Sequence, residues 1–279
     1  MIRTQVLRQL VLSIAVSFVS ANLFAQAPAA TKPFEPQVGQ SGKDVVWVPT
    51  PQALVDKMLD LARLTPQDYV IDLGSGDGRT VITAAKRGAR ARGIEYEPEM
   101  VALSQRNAVA EGVTAKASFA KADLFTTDFS DATVITMFLL PSINLQLRPK
   151  LLDMKPGTRV VSNTFTMEDW EPDETATIPD CERWCTALFW IIPAKVEGGW
   201  RLDSGQLNLT QKFQMLTGAL QPAGGGSPQT LANAKLRGDQ ITFNVGAAQY
   251  TGRVSGNTIE GTVTNGTAKT PWRATRAGG

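Results

Sequence analysis

The sequence predicts an α/β domain, built on a parallel sheet with helices on both faces, followed by a C-terminal antiparallel β meander that closes as a small barrel or sandwich. Short apolar runs, "DYVIDLG", "ATVITMFLL" and "TRVVSNTF", alternate with stretches of helical spacing up to about Pro193, a pattern that builds parallel sheets with covered faces. Beyond Pro193 the period changes to two: Ile241, Phe243 and Val245 share one face, Ile259 and Val263 another. The turn signals "RGD", "SGN" and "NG" separate these runs, as in hairpins.

Each element has its own signal. In "TPQALVDKMLDLARL", Leu54, Met58, Leu59, Leu61 and Ala62 fall at helical spacing, with Thr50 as N-cap and Pro51 in the first turn. "DYVIDLG" is a strand that runs into glycines, and "TVITAAKRG" is a helix closed by Gly88. "ARARGIEYE" holds the second strand and "EPEMVALSQRNAVAEG" a helix closed by Gly112. "AKASFAKAD" and "ATVITMFLL" are strands, the latter apolar enough for burial on both faces; "INLQLRPKLLDM" is a helix and "TRVVSNTF" a strand. "ATIPDCERWCTALFWIIP" reads as two strands joined by a turn that carries both cysteines. "QLNLTQKFQML" alternates, "PAGGGSP" is a loop, and "ITFNVG", "QYTGRVSG", "TIEGTVTNG" and "PWRATR" complete the meander.

The domain plan is therefore a signal peptide over residues 1–27, a linker over 28–44, an α/β domain over 45–192 and a β-rich domain over 193–279. The leader has a basic start, "MIRTQVLRQL", an apolar run from Leu10 to Val19, and small residues for cleavage between Ala25 and Ala27, with Ala25 preferred because Pro28 follows Ala27. The apolar run is too short for a comfortable membrane span, so an exported, periplasmic or secreted protein without a stable membrane anchor is expected. Net charge is +2 and falls to zero once Arg3 and Arg8, the only charges before Lys32, leave with the leader. That balance gives no electrostatic case for nucleic acid. Cys181 and Cys185 are the two cysteines and histidine is absent, so a metal centre is disfavoured. Export permits a local disulfide; two free, half-buried thiols are the alternative.

Asp72-Leu73-Gly74-Ser75-Gly76-Asp77-Gly78, where a strand gives way to a helix, is a ligand-binding turn. A phosphate-binding loop would end in Gly-Lys-Ser/Thr, which is absent, and Arg79 stands where a dinucleotide fingerprint requires its third glycine. Glu95 closes the next strand, placed to take both ribose hydroxyls of an adenosine. Asp123 closes the third and is placed to accept from an adenine amino group. At the end of the fourth strand, Ser142 and Asn144 in "LLPSIN" are candidates for orienting an acceptor nitrogen; the alternative is that Pro141-Ser142 cap the following helix. Asn163 and Trp170 are weaker candidates, Trp170 being better suited to a domain interface or core than to a substrate platform.

From about Val45 to Trp170 the chain resembles the class I, seven-β-strand S-adenosylmethionine-dependent methyltransferases, and within them the branch of the ATP synthase c-subunit lysine methyltransferase and its exported bacterial relatives. The stretches that carry the resemblance are "VPTPQALVDKML", "DLGSGDGRTVITAAKRG", "GIEYEPEMV", "ADLF", "ATVITMFLLPSINLQLRPKLL" and "GTRVVSNTFTMEDWEP", with a weaker likeness at "FWIIPAKVEGGW". The resemblance implies a Rossmann-like seven-stranded sheet and S-adenosylmethionine as cofactor. Asp72, Gly74, Gly76 and Gly78 would then hold its methionine and ribose portion, Glu95 the ribose hydroxyls and Asp123 the adenine edge. It implies methyl transfer to an acceptor, a protein lysine or a small molecule. Where that branch commonly carries a "SHDFDM"-like segment, this chain has Ser162-Asn163-Thr164-Phe165-Thr166-Met167, without the histidine and the two acids. A second reading is a non-catalytic exported binding protein that retains the scaffold for a nucleoside-like ligand or a protein partner.

Overall fold

The computed structural model describes residues 34–278, so the leader and the first part of the linker lie outside the described residues. In chain order the first half comprises α1 (Gln52–Leu61), β1 (Tyr69–Leu73), α2 (Arg79–Lys86), β2 (Arg90–Glu95), α3 (Pro98–Ala110), β3 (Ala117–Lys121), β4 (Val134–Met137), α4 (Pro141–Leu152), β5 (Arg159–Asn163), β6 (Glu174–Thr177) and β7 (Thr186–Ile191). These strands form one sheet in the order β3-β2-β1-β4-β5-β7-β6. The first five are parallel, whereas β7 runs antiparallel to both β5 and β6. The sheet is thus mixed, because the turn around the two cysteines is too short for a crossover and returns the chain as a hairpin.

Alternation along the buried strands sorts side chains to two cores. Val70, Val134 and Val161 pack with Leu54, Leu59, Val81 and Ala85 from α1 and α2, while Ile71, Ile135 and Val160 pack with Ile143, Leu147 and Leu151 from α4 on the opposite face. Thr50 does not cap α1: Pro51 occupies the cap position without a side-chain bond, and the Thr50 hydroxyl instead accepts from Asn163 Nδ2 at 3.2 Å. Gly88 and Gly112 adopt positive φ just past α2 and α3, as read from sequence.

The second half is a closed eight-stranded antiparallel barrel made of β8 (Gly198–Leu202), β9 (Gly205–Lys212), β10 (Met215–Pro222), β11 (Gln229–Arg237), β12 (Gln240–Val245), β13 (Ala248–Ser255), β14 (Thr258–Asn265) and β15 (Ala268–Arg276). Eight strands enclose an interior that side chains can fill. Here Leu207, Leu209, Leu236, Ile241 and Ile259 fill it, with Phe243 stacked on Tyr250 at 4.7 Å and Trp272 edge-on to both rings. The sequence reading missed β8 and β11. In β11 the buried residues are Leu231, Ala234 and Leu236, because the register shifts between Ala232 and Lys235 and the period of two is lost. "QLNLTQKFQML" is two strands, not one, broken at Phe213-Gln214.

That break joins the two halves. Phe213, at φ 53°, stacks on the fully buried Trp170 at 5.6 Å, and Gln214 accepts from Trp170 Nε1 at 2.9 Å while donating to the Glu171 carbonyl at 2.8 Å. Trp190 Nε1 in turn donates to the Trp170 carbonyl at 2.8 Å. Trp170 is therefore an interface aromatic, fully buried between sheet and barrel. Cys181 and Cys185 form a disulfide in the β6–β7 turn.

Candidate active site

Strand order reverses between β1 and β4, and open α/β sheets bind ligands beyond the carboxyl ends of their strands at such a point. A cavity of about 630 Å³ lies there, lined by the glycine loop, Glu95, Asp123, Phe138 and residues 40–50. The volume lies in the range of small-molecule and cofactor sites.

The loop is shaped by what surrounds it. Gly78, at φ 84°, opens α2, and a Cβ there would stand 2.7 Å from Ser104 and 2.8 Å from the Phe119 ring. A Cβ on Gly76 would stand 2.7 Å from the Trp47 indole nitrogen, so only glycine admits the approach of Trp47. From α3, Ser104 Oγ donates to the Gly76 carbonyl at 3.1 Å and Asn107 Nδ2 to the Asp77 carbonyl at 2.9 Å. Arg79 forks onto the Asp77 carboxylate and also donates to the Thr50 carbonyl at 2.9 Å. The residue that breaks the dinucleotide fingerprint thus ties the loop to the segment ahead of α1.

Three carboxylates stand at successive strand ends. Glu95 accepts from three backbone amides, Gly76 and Tyr96 at 2.8 Å and Glu97 at 3.0 Å, which fix its carboxylate against the cavity. Asp123 accepts from Phe125 N at 2.9 Å and pairs with Lys43 at 2.6 Å; that hydrogen bond holds the Asp123 carboxyl below the usual range and raises Lys43. Asp72 is buried beside Thr136, whose hydroxyl donates to it at 2.6 Å. Burial pushes its carboxyl up to about 7; the Thr136 bond opposes this and the neighbouring Glu95 and Asp77 charges add to it.

Residues Gln40 to Thr50 all line the cavity. The Ser41–Val46 bridge, the Lys43–Asp123 pair and the contact of Gln40 with Met100 hold this segment across the glycine loop as a strap. The last five residues read as linker, Gln40 to Asp44, therefore form part of the cavity wall. Nothing local in the chain signals this, since the strap has neither period nor motif.

Ser142 and Asn144 do not reach the cavity. Ser142 is exposed on the first turn of α4 and caps nothing with its side chain. Asn144 is fully buried, and its Nδ2 donates to the carbonyls of Phe165 at 3.2 Å and Thr166 at 3.1 Å. Helical spacing turns both away from the sheet end, where Phe138, Leu139, Leu140 and Ile143 line the wall instead. Missed from sequence was an aromatic cluster on that wall: the rings of Phe138, Phe165 and Trp184 lie 5.2–5.7 Å apart by centroid. A tryptophan flanking a cysteine was the signal available.

The chemistry of the donor set identifies what fits. Asp44, Asp72, Asp77, Glu95, Glu97 and Asp123 line the cavity against only Lys43 and Arg79 among cations. A ligand with a pyrophosphate is repelled by such a wall; one with a vicinal diol, an ammonium and a second positive centre suits it. S-adenosylmethionine has all of these.

Fold and site together define an S-adenosylmethionine-dependent methyltransferase of the Rossmann-like class. A family model described as the ANTKMT methyltransferase domain matches residues 72–174. A protein-lysine N-methyltransferase of Saccharolobus islandicus is 43% identical over 151 residues, covering 53% of this chain and 94% of that protein. The ATP synthase c-subunit lysine N-methyltransferase of Rattus norvegicus is 36% identical over 153 residues, 53% of this chain and 64% of that protein. A solved structure described as an RNA methyltransferase from Salinibacter ruber, in complex with S-adenosyl-L-homocysteine, is 46% identical, covers 53% of this chain and 96% of that one, and superposes with a TM-score of 0.51. The chain belongs to this family of S-adenosylmethionine-dependent methyltransferases. Its relatives are named as enzymes, and the reading as a non-catalytic binding protein is not favoured.

Proposed function

We propose that this protein is an exported enzyme that methylates the side-chain nitrogen of a protein lysine. The observation that carries this reading is the acidic cavity, with apolar walls beyond β4, in a chain 43% identical to a protein-lysine N-methyltransferase. Net charge near neutrality and the acidic wall oppose a nucleic-acid acceptor. S-adenosylmethionine supplies an electrophilic methyl group on a sulfonium sulfur when bound.

Asp72 and the turn of Gly74, Gly76 and Gly78 hold the methionine and ribose portion of the cofactor. Glu95, its carboxylate already oriented by three amides, would accept hydrogen bonds from the ribose hydroxyls. Asp123, which pairs with Lys43, would meet the adenine edge. A lysine acceptor must lose its proton first, which from a pKa of about 10.4 costs roughly 4–5 kcal/mol near neutrality. Without histidine, desolvation against Phe138, Leu139 and Phe165 lowers that cost, and cavity carboxylates and water carry the proton away.

Export is supported by the leader composition and by the Cys181–Cys185 disulfide, a bond favoured outside the cytoplasm. A reporter active only after export, fused to residues 1–27, should become active, and the secreted protein should begin at Gln26. Transfer of a radiolabelled methyl group from S-adenosylmethionine into periplasmic extract tests the activity. Label is expected in protein, recovered as methyllysine after acid hydrolysis, and absent when Asp72→Ala replaces the wild type. Label confined to RNA would overturn the acceptor.

A further inference from the structure

Sheet order divides the cavity into two regions. The carboxylates Asp72, Glu95 and Asp123 stand at the carboxyl ends of β1, β2 and β3, whereas Phe138, Phe165 and Trp184 stand beyond β4, beyond β5 and in the turn before β7. Adjacent strands are about 4.8 Å apart, so β3 and β5 are separated by roughly 19 Å. The polar region already accounts for the cofactor's polar groups, and the aromatic wall is left for a second occupant.

We propose that Phe138, Phe165 and Trp184 form the subsite that receives the acceptor's alkylamine, and that the Cys181–Cys185 disulfide holds Trp184 in it. This rests on the amine-acceptor reading above. Alkylammonium groups and their methylated forms bind aromatic faces, through the ring quadrupole and apolar contact.

The cluster is positioned at a structural cost. Thr164, β-branched, has φ 58° and Trp184, bulky, has φ 60°; both residue types are disfavoured there, and such residues gather at ligand clamps. Phe165 is fixed through its backbone: Ser162 Oγ donates to its carbonyl at 2.8 Å and Asn144 Nδ2 donates at 3.2 Å. Asn144 is thus a positioning residue that acts through Phe165. Trp184 sits one residue before Cys185, so the disulfide closes the turn that carries it over the other two rings.

The test uses the full mature protein loaded with S-adenosyl-L-homocysteine and n-butylammonium chloride as probe. Wild type should broaden the proton resonances of the probe. Trp184→Ala and Phe165→Ala should lose at least fivefold of that effect, while their affinity for S-adenosyl-L-homocysteine stays within twofold by calorimetry. Trp184→Phe should recover most of the broadening, and the Cys181→Ser/Cys185→Ser double variant should lose it in part. No broadening by wild type, equal broadening by Trp184→Ala, or a parallel loss of S-adenosyl-L-homocysteine affinity would overturn the subsite; unchanged broadening in the double variant would overturn the role of the disulfide. If the probe binds but no protein lysine is labelled, the proposed function fails and the subsite stands. If lysine is labelled equally by wild type and Trp184→Ala, the subsite fails and the function stands.

Discussion

If Asp72 holds the cofactor as proposed, it should couple cofactor binding to pH. The residue is 6% exposed, and burial pushes its carboxyl up to about 7, against an ordinary value of 3.8. A raised folded pKa means that the protonated form favours folding: the contribution is complete below pH 3.8 and is lost progressively as pH rises through about 7. Roughly 4 kcal/mol is at stake across that window, at 1.36 kcal/mol per pH unit. A cationic ligand beside Asp72 requires the charged form, so binding must expel the proton wherever the free protein holds it. Affinity for S-adenosylmethionine should be near its plateau at pH 8 and about thirtyfold weaker at pH 5.5, or about 2 kcal/mol. Calorimetric titration in two buffers of different ionisation enthalpy counts the released proton directly. Asp72→Asn should bind weakly at every pH, without the slope, and should stabilise the cofactor-free protein at pH 8 by removing a buried charge. A flat affinity between pH 5.5 and 8 in wild type, or an unchanged slope in Asp72→Asn, would refute the role assigned to this carboxyl.

Three other variants test separate parts of the site and of the fold. Glu95→Gln places an amide where Gly76, Tyr96 and Glu97 all donate, so cofactor affinity should fall about 10- to 100-fold, and a loss below threefold in a calorimetric titration would count against Glu95 as a cofactor contact. Lys43→Ala removes the strap's pair with Asp123, and stopped-flow release of S-adenosyl-L-homocysteine should quicken by about two- to fivefold with less dependence on salt. Trp170→Ala should destabilise the protein by about 3–5 kcal/mol in urea unfolding, since it empties a fully buried site and leaves Gln214 Oε1 without its donor; a cost under 1 kcal/mol would show that the contact between sheet and barrel is dispensable.

The parts of the fold and site that were legible in the sequence are local ones. A strand running into glycines, an acid at the next strand end and a hairpin turn are each written within a few residues, and Gly76, Gly78 and Glu95 follow from them. What escaped depends on contacts distant in the chain. The strap is defined by Trp47 lying over Gly76 and Lys43 reaching Asp123, neither of which leaves a periodic mark. Position after β4 suggests Ser142 and Asn144 for the chemistry, but the helical turn at Pro141 points Asn144 into the core, where it holds the Phe165 loop. Strand β11 escaped because its bulge moves one buried residue out of step, and a period-two reading fails at the first such shift.

If the aromatic wall receives the acceptor as proposed, the barrel bears on that side of the site. The Saccharolobus relative is matched along 94% of its length by 53% of this chain, so it leaves little room for a counterpart to the rest. The contact between sheet and barrel is then particular to chains built like this one. It falls on the β5–β6 connection, the segment that presents Phe165: Asn144 and Ser162 fix the connection at Phe165, and Phe213 and Gln214 fix it at Trp170. A connection that carries a left-handed threonine relaxes unless its neighbours hold it, and here it is held at both ends. Together with the Cys181–Cys185 bond across the next turn, the barrel contacts brace the segments that carry the aromatic wall, and none of these contacts involves Asp72, Glu95 or Asp123. If the wall receives an alkylamine as proposed, a wall already braced loses less conformational entropy of its own when the acceptor docks.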